Sequence, residues 1–368
     1  MGSLMSRTSD FDGLSSKYGA FLTPRVQIKI GGKNFDKEGI VVPHVEIDLT
    51  SGFKANVACF PVFGLINEDE RKFTETATDL CPLGAPVDIS VGYGSELERV
   101  FFGFVYSVTC KLPKSGDGFG SVVVRCMDVK GIMMNNQHYA QREDRSVGDL
   151  VRGILEKSPY NRYYDSLIVG RTPQGEVPIT LTDESDYGFV VRSAKKLNYE
   201  FFVSQDTVYF RTAESQNSSM LTLRSGFGLE AVNVEFSTWG AASSIEVRNT
   251  SIDTGEPIIG TATSDACRSS GSSAAQALKG AHKVFVDSTA GTPSEAESMA
   301  RALLATHERR FCVATFVCVG LPELVPGRFV TVKGVSSDID ARYYVVDVAH
   351  VIATHKFVTT LTARRCSL

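Results

Sequence analysis

The chain has 368 residues, 43% of them apolar and 22% charged, with a formal net charge of -4, an ordinary balance for a globular protein in water. That length predicts two or three domains, and the balance excludes a global attraction to nucleic acid or to an anionic membrane. No apolar run reaches 18 residues and no basic-then-apolar leader opens the chain, so neither a membrane span nor a secretion signal is supported.

Residues 1–22 are polar and rich in Gly and Ser, which predicts a flexible N-terminal segment. Gly2 and Ser6 fit the loose myristoylation pattern, a match that chance supplies often. From Val26 the pattern turns strand-like. VQIKI and VEIDL alternate, and PVDISVGYG sets Val87, Ile89 and Val91 on one face. FFGFVYSVTC and SVVVRCMDV follow, joined by the turn-rich KLPKSGDGFG. Strands this short and frequent predict a small barrel or sandwich over 24–135.

The middle of the chain reads differently. Ser146 and Asp149 form a capping-box-like pair ahead of the helical stripe Val147, Leu150, Val151, Ile154 and Leu155, which Ser158-Pro159 ends. Tyr187, Val190, Val191, Ala194 and Leu197 mark a second amphipathic helix, with Arg192, Lys195 and Lys196 mostly off that face. The hairpin YEFFVSQDTVYF follows directly and is expected to cover it, since neither piece is stable alone.

Residues 251–281, largely Gly, Ser, Ala and Thr, predict a long loop. Thr292 as N-cap, Pro293 at N1 and Glu295 at N3 open the strongest helix, whose stripe is Ala296, Met299, Ala300, Leu303 and Leu304. FCVATFVCV, GRFVTVKG, RYYVVDVAHV and KFVTTLTA then predict four strands. The two strand-rich ends superpose in order. PLGAPVDISVGYG, FFGFVYSVTC and SVVVRCMDV lie over VPGRFVTVKG, YYVVDVAHVI and KFVTTLTARR, which predicts a duplicated barrel.

Residues with chemical potential form no pattern. The eight cysteines, at 59, 81, 110, 126, 267, 312, 318 and 366, have no CxxC spacing, and Cys110, Cys126, Cys312 and Cys318 sit in apolar runs as reduced, buried thiols would. His350 has Asp347 three residues before it and His355 five after; on a strand 347 and 350 face opposite ways, a poor metal pair. His44, His138, His282 and His307 stand alone. Glu68, Asp69, Glu70, Glu75 and Asp79 crowd one acidic stretch, which reads as solvated rather than as the two placed carboxylates of a glycosidase. GFGSV and SGFGLE lack the phosphate-cradling spacing, SSGSS reads as linker, and Arg364 and Arg365 read as surface or inter-subunit charges. No catalytic, cofactor-binding or metal residue is therefore assigned, and no cofactor is expected.

Taken together, VFFGFVYSVTC, VRCMDVKGIMM, DYGFVVRSAKKLNYEFFVSQDTVYF, SEAESMARALL, GLPELVPGRFVTVKG and YYVVDVAHVIATHKFVTTLTARR resemble the tail-hub proteins of contractile phages and related injection machines. These are the late-control D or gp27-like hubs and the hub portion of VgrG proteins, and the resemblance spans roughly 24–368. It implies a mainly β chain with an α+β insert: two tail-tube-like β-barrels joined by a mixed helix and hairpin domain. The implied division is 1–22 flexible, 23–135 first barrel, 136–225 α/β insert, and 226–368 second barrel carrying an inserted loop and helix (251–307). It further implies a non-enzymatic homotrimeric ring of pseudo-sixfold symmetry that adapts a sixfold tube to a threefold spike. Tube or tube-initiator, separate spike, baseplate wedge and tape-measure proteins would be partners, DNA only passing cargo, and stable membrane association absent. The setting would be a virion tail baseplate or injection particle assembled in the bacterial cytoplasm. A carbohydrate- or receptor-binding β-domain protein and a tail-associated cell-wall hydrolase are the alternatives.

Overall fold

The computed structural model describes residues 4–365 apart from 64, 68–71, 74–76, 113, 115–119, 138–139, 143–145, 173–178, 182–183, 266–272 and 289. The first half carries β1 (Pro24–Ile30), β2 (Lys33–Asn34), β3 (His44–Thr50), β4 (Val57–Val62), β5 (Ile66–Asn67), β6 (Lys72–Phe73), β7 (Pro86–Tyr93), β8 (Glu96–Lys111) and β9 (Ser121–Met127). The middle holds β10 (Ala140–Arg142), β11 (Ser166–Val169), β12 (Ile179–Leu181), β13 (Tyr199–Ser204) and β14 (Thr207–Thr212). The second half adds β15 (Ser219–Ser225), β16 (Gly228–Phe236), β17 (Ser244–Thr250), β18 (Pro257–Thr263), β19 (His282–Val286), β20 (Cys312–Val319), β21 (Phe329–Lys333), β22 (Arg342–Ala353) and β23 (Lys356–Arg365). Helices are α1 (Phe11–Lys17), α2 (Ala77–Leu80), α3 (Lys130–Asn135), α4 (Val147–Leu155), α5 (Asp186–Leu197), α6 (Ser273–Ala277) and α7 (Pro293–Glu308).

Thirteen strands form one continuous sheet, in the order β2-β1-β7-β8-β9-β4-β3-β22-β21-β15-β16-β20-β23, with β22 also pairing β23. The last six therefore close on themselves as a barrel. The first six, β1-β7-β8-β9-β4-β3, have the same arrangement: taken in chain order, strands one to six of each half lie side by side as 1-4-5-6-3-2. The copies agree in detail. The β8–β9 ladder has a bulge between Val105 and Ser107, and β22–β23 has one between Val345 and Asp347. Gly84 donates to Val105 O at 2.8 Å, as Gly327 does to Val345 O at 2.9 Å, and both glycines turn at positive φ, 78° and 82°. Following the ladders inward from the bulges puts Phe60 in register with Phe316, and both rings are fully buried.

The duplication is not complete. Two closed barrels were expected, and one is closed. β15 runs parallel to β21 and meets β16 at Arg224–Gly228 and Ser225–Leu229, whereas β1 runs antiparallel to β7 and makes no ladder with β3. The outer edge of β3 is instead occupied by β22 over residues 44–50, so the edge needed for closure is already used. The second barrel also begins earlier than expected, because Ser219–Ser225, placed in the insert by sequence, is one of its staves.

In the insert, Ser185 caps α5 by accepting from Gly188 N at 3.0 Å, and Ser146 caps α4 through Asp149 N at 3.2 Å. Both helices bury their stripes against the β11-β14-β13 sheet, where Phe189, Val190, Phe201, Val203, Val208 and Phe210 form a second core. The long loop expected over 251–281 is partly a strand: β18 pairs with β17, which pairs with β19, and α7 packs on this three-stranded sheet through a core of its own. The SSGSS segment lies largely outside the described residues.

Candidate assembly interface

The residues singled out for chemistry are scattered. His350 lies in the barrel wall, fully buried, its Nδ1 2.9 Å from Thr359 Oγ1 and its ring 5.6 Å from Phe357. Burial alone pushes its pKa down to about 3, so the ring is neutral at pH 7. His282 meets Ser244 Oγ at 2.9 Å, His307 meets Gly240 O at 2.7 Å, and His44 is exposed on β3. His138 and the acidic residues 68, 69, 70 and 75 lie outside the described residues, and Asp79 lies within the short α2. Of the four cysteines expected to be buried, the structure buries Cys126, Cys312 and Cys318 and leaves Cys110 exposed. Among the described residues no group of three or more His, Cys, Asp and Glu is placed to hold a metal ion.

The buried charges serve as joints. Arg328, fully buried at the start of β21, donates through Nη1 to the carbonyls of Leu4 (3.2 Å), Met5 (2.8 Å) and Arg7 (2.8 Å), and through Nη2 to Ser218 O (3.3 Å) and Oγ (3.1 Å). Glu98 on β8 pairs with Arg7 (2.6 Å) and Lys17 (2.8 Å). Lys17 also reaches Glu323 (3.1 Å), which accepts from the Tyr18 hydroxyl at 2.7 Å. Burial alone would raise the Glu98 pKa, but hydrogen bonds from Arg7 and Lys17 outweigh it and hold the carboxyl below its ordinary range. Composition suggested a flexible segment here; in the structure Leu4, Met5, Leu14 and Tyr18 are buried in the main core, and the segment straps both halves together. Sequence reasoning missed Arg328 and Glu98. The only local hint was an arginine opening an otherwise apolar strand.

A second knot ties the insert to the first half. Asp128 and Lys130, both fully buried, lie 3.8 Å apart. Asp128 accepts from Asn56 N (2.8 Å) and Lys130 N (2.9 Å), while Asn56 donates to Val203 O on β13 (2.8 Å). Burial drives both members toward neutrality, and their mutual attraction opposes it.

The two halves meet at a sheet junction. β3 and β22 run antiparallel from Asp347 opposite Thr50 to Ala353 opposite His44. Val45, Ile47 and Leu49 on one strand and Val348, His350 and Ile352 on the other are buried. Burying one such aliphatic side chain is worth roughly 1.5–3 kcal/mol before entropy, so the joint is strong. Two comparable edges carry no ladder among the described residues: β8 beyond Val105 on the side away from β9, and β16 beyond Leu229 on the side away from β20. They hold exposed apolar side chains, Tyr106 (40%) and Leu112 (40%) along the first and Phe236 (51%) on the second. Exposed strand edges of this kind invite pairing with another chain.

Comparison with known proteins follows the same line. A family model described as the Alg8 N-terminal domain matches residues 26–354. Among curated proteins none matches the sequence. The fold is similar to that of a tail protein from Neisseria meningitidis MC58, with 15% identity, TM-score 0.68 and coverage of 93% of this chain and 97% of that one. The prophage MuSo2 43 kDa tail protein from Shewanella oneidensis gives 14% identity and TM-score 0.70, covering 94% and 99%. An E. coli component of the type VI secretion system, described as structurally similar to the T4 bacteriophage tail proteins gp27 and gp5, gives 13% and 0.58 over 91% and 76%. At these identities the likeness is one of fold, the fold shared by these tail and secretion-system proteins.

Proposed function

The chain belongs to the Alg8 N-terminal domain family, and from its duplicated sheet and its likeness in fold to tail proteins we propose that it is a structural hub subunit of a phage tail or phage-like contractile injection machine. The observation that carries the reading is the repeat itself: two six-stranded units of identical strand order joined edge to edge in one chain. Three such chains present six similar units, so a threefold ring can meet a sixfold tube on one side and a threefold spike on the other. In this ring the open first sheet takes the place of a second tube-like barrel. Residues 23–135 and 219–368 are the two tube-like units, 136–218 the insert and 1–22 the strap. Tube, spike, wedge and tape-measure proteins are the partners, and the tail baseplate or injection particle is the site of action.

The relatives' descriptions as tail proteins and as a secretion-system component support this reading. Affinity purification through a tag on the full chain, from cells producing the particle, tests it. Tube and spike polypeptides should be recovered with the tagged chain at three copies per particle. Recovery of the chain alone, or in copy numbers that are not a multiple of three, contradicts it.

A further inference from the structure

The internal joint between the halves is a template for a second joint. Aligning the β8 and β22 bulges places Val108, Cys110 and Leu112 where β22 has Val348, His350 and Ile352. Following the ladders β9–β4–β3 and β23–β20–β16 places Val232, Val234 and Phe236 where β3 has Val45, Ile47 and Leu49. The template residues are all buried, while their six counterparts are partly or fully exposed, each set still alternating along its strand. The chain thus carries one completed joint and, on two of its free edges, both halves of another.

We propose that the β16 edge of one copy pairs antiparallel with the far end of β8 in the next copy, in the register of the internal joint. Val108 then lies opposite Phe236, Cys110 opposite Val234, and Leu112 opposite Val232. The internal bond from Ser51 N to Val346 O, 2.8 Å, has its counterpart between Thr238 N and Tyr106 O. The contact is heterologous, head to tail, so it closes into a ring when the rotation between copies repeats that between the halves. Pairing supplies the missing main-chain hydrogen bonds, and the alternate side chains give the specificity. A one-residue slip would turn every apolar side chain to the wrong face, so the register is defined. This inference rests on the ring reading above and adds the surface and register that build it.

Cysteine cross-linking of the full chain tests it. Val234→Cys leaves the native, exposed Cys110 to meet the introduced thiol of the neighbour. Copper–phenanthroline with oxygen as oxidant should shift the denatured mass from one chain to two and three, and no further, with peptide mapping placing the disulfide between Cys110 and position 234. Adding Cys110→Ser should abolish the shift, and Glu235→Cys, one residue along and on the other face, should give far less. Leu112→Cys with Val232→Cys is a second in-register pair should the first perturb folding. A native trimer in which the in-register pairs link no better than Glu235→Cys overturns the pairing and leaves the ring. A chain that stays monomeric at every concentration overturns both.

Discussion

Arg328 shows how one side chain can hold a segment that composition alone would leave mobile. Its guanidinium reaches three carbonyls of residues 4–7 and Ser218 while completely buried. Arg328→Met fills the volume but removes the guanidinium's buried hydrogen bonds to those carbonyls, so it should cost roughly 2–4 kcal/mol in urea unfolding. It should also expose residues 4–22 to protease; unchanged cleavage there would count against the strap. His350 makes a pH prediction. Its folded pKa of about 3 lies below the ordinary 6.5, so the unfolded chain takes up the proton first. The contribution is complete above about pH 6.5 and is lost as pH falls toward 3, by up to ~1.4 kcal/mol per pH unit. His350→Asn keeps a partner for Thr359 without titrating, and should flatten the stability slope between pH 4.5 and 6.5 relative to the unaltered chain. An identical slope in the two proteins would refute the assignment.

Among the elements, the sheet of β17, β18 and β19 under α7 depends on one close approach. A Cβ at Gly260 would lie 2.1 Å from Glu297 N and 2.2 Å from Ala296 C, backbone atoms that cannot swing aside. Gly260→Ala should therefore lift α7 and cost roughly 1–3 kcal/mol. Hydrogen exchange should accelerate over 244–308 while the barrel strands keep their protection; a uniform change across the chain would mean the unit is not separate. The helices here were legible because their signals are local. Thr292 Oγ1 accepts from Glu295 N at 3.2 Å, as the sequence leads one to expect. β18 was not legible, since its inward side chains are Ile258, Gly260 and Ala262, and two small residues leave almost no apolar alternation to read.

Across the whole molecule, the repeat was visible where strands follow one another: β7-β8-β9 and β21-β22-β23 are meanders whose turns and alternation recur. Its other three members were hidden, because β1 reaches β7, and β4 reaches β9, across long connections, while β15 and β16 sit beside an inserted unit. The β3–β22 joint, about 300 residues apart in sequence, leaves no trace in any local window, which is why a closed first barrel was expected. The central claim is that one chain supplies two of six similar sectors. A reconstruction of the purified ring viewed down its axis, computed without imposed symmetry, tests this most directly. The account predicts six similar sheet sectors from three chains, about 120 kDa for chains of 40.0 kDa each, with internal and inter-chain joints alternating. Six sectors built by six chains, or a single chain standing without neighbours, would contradict it.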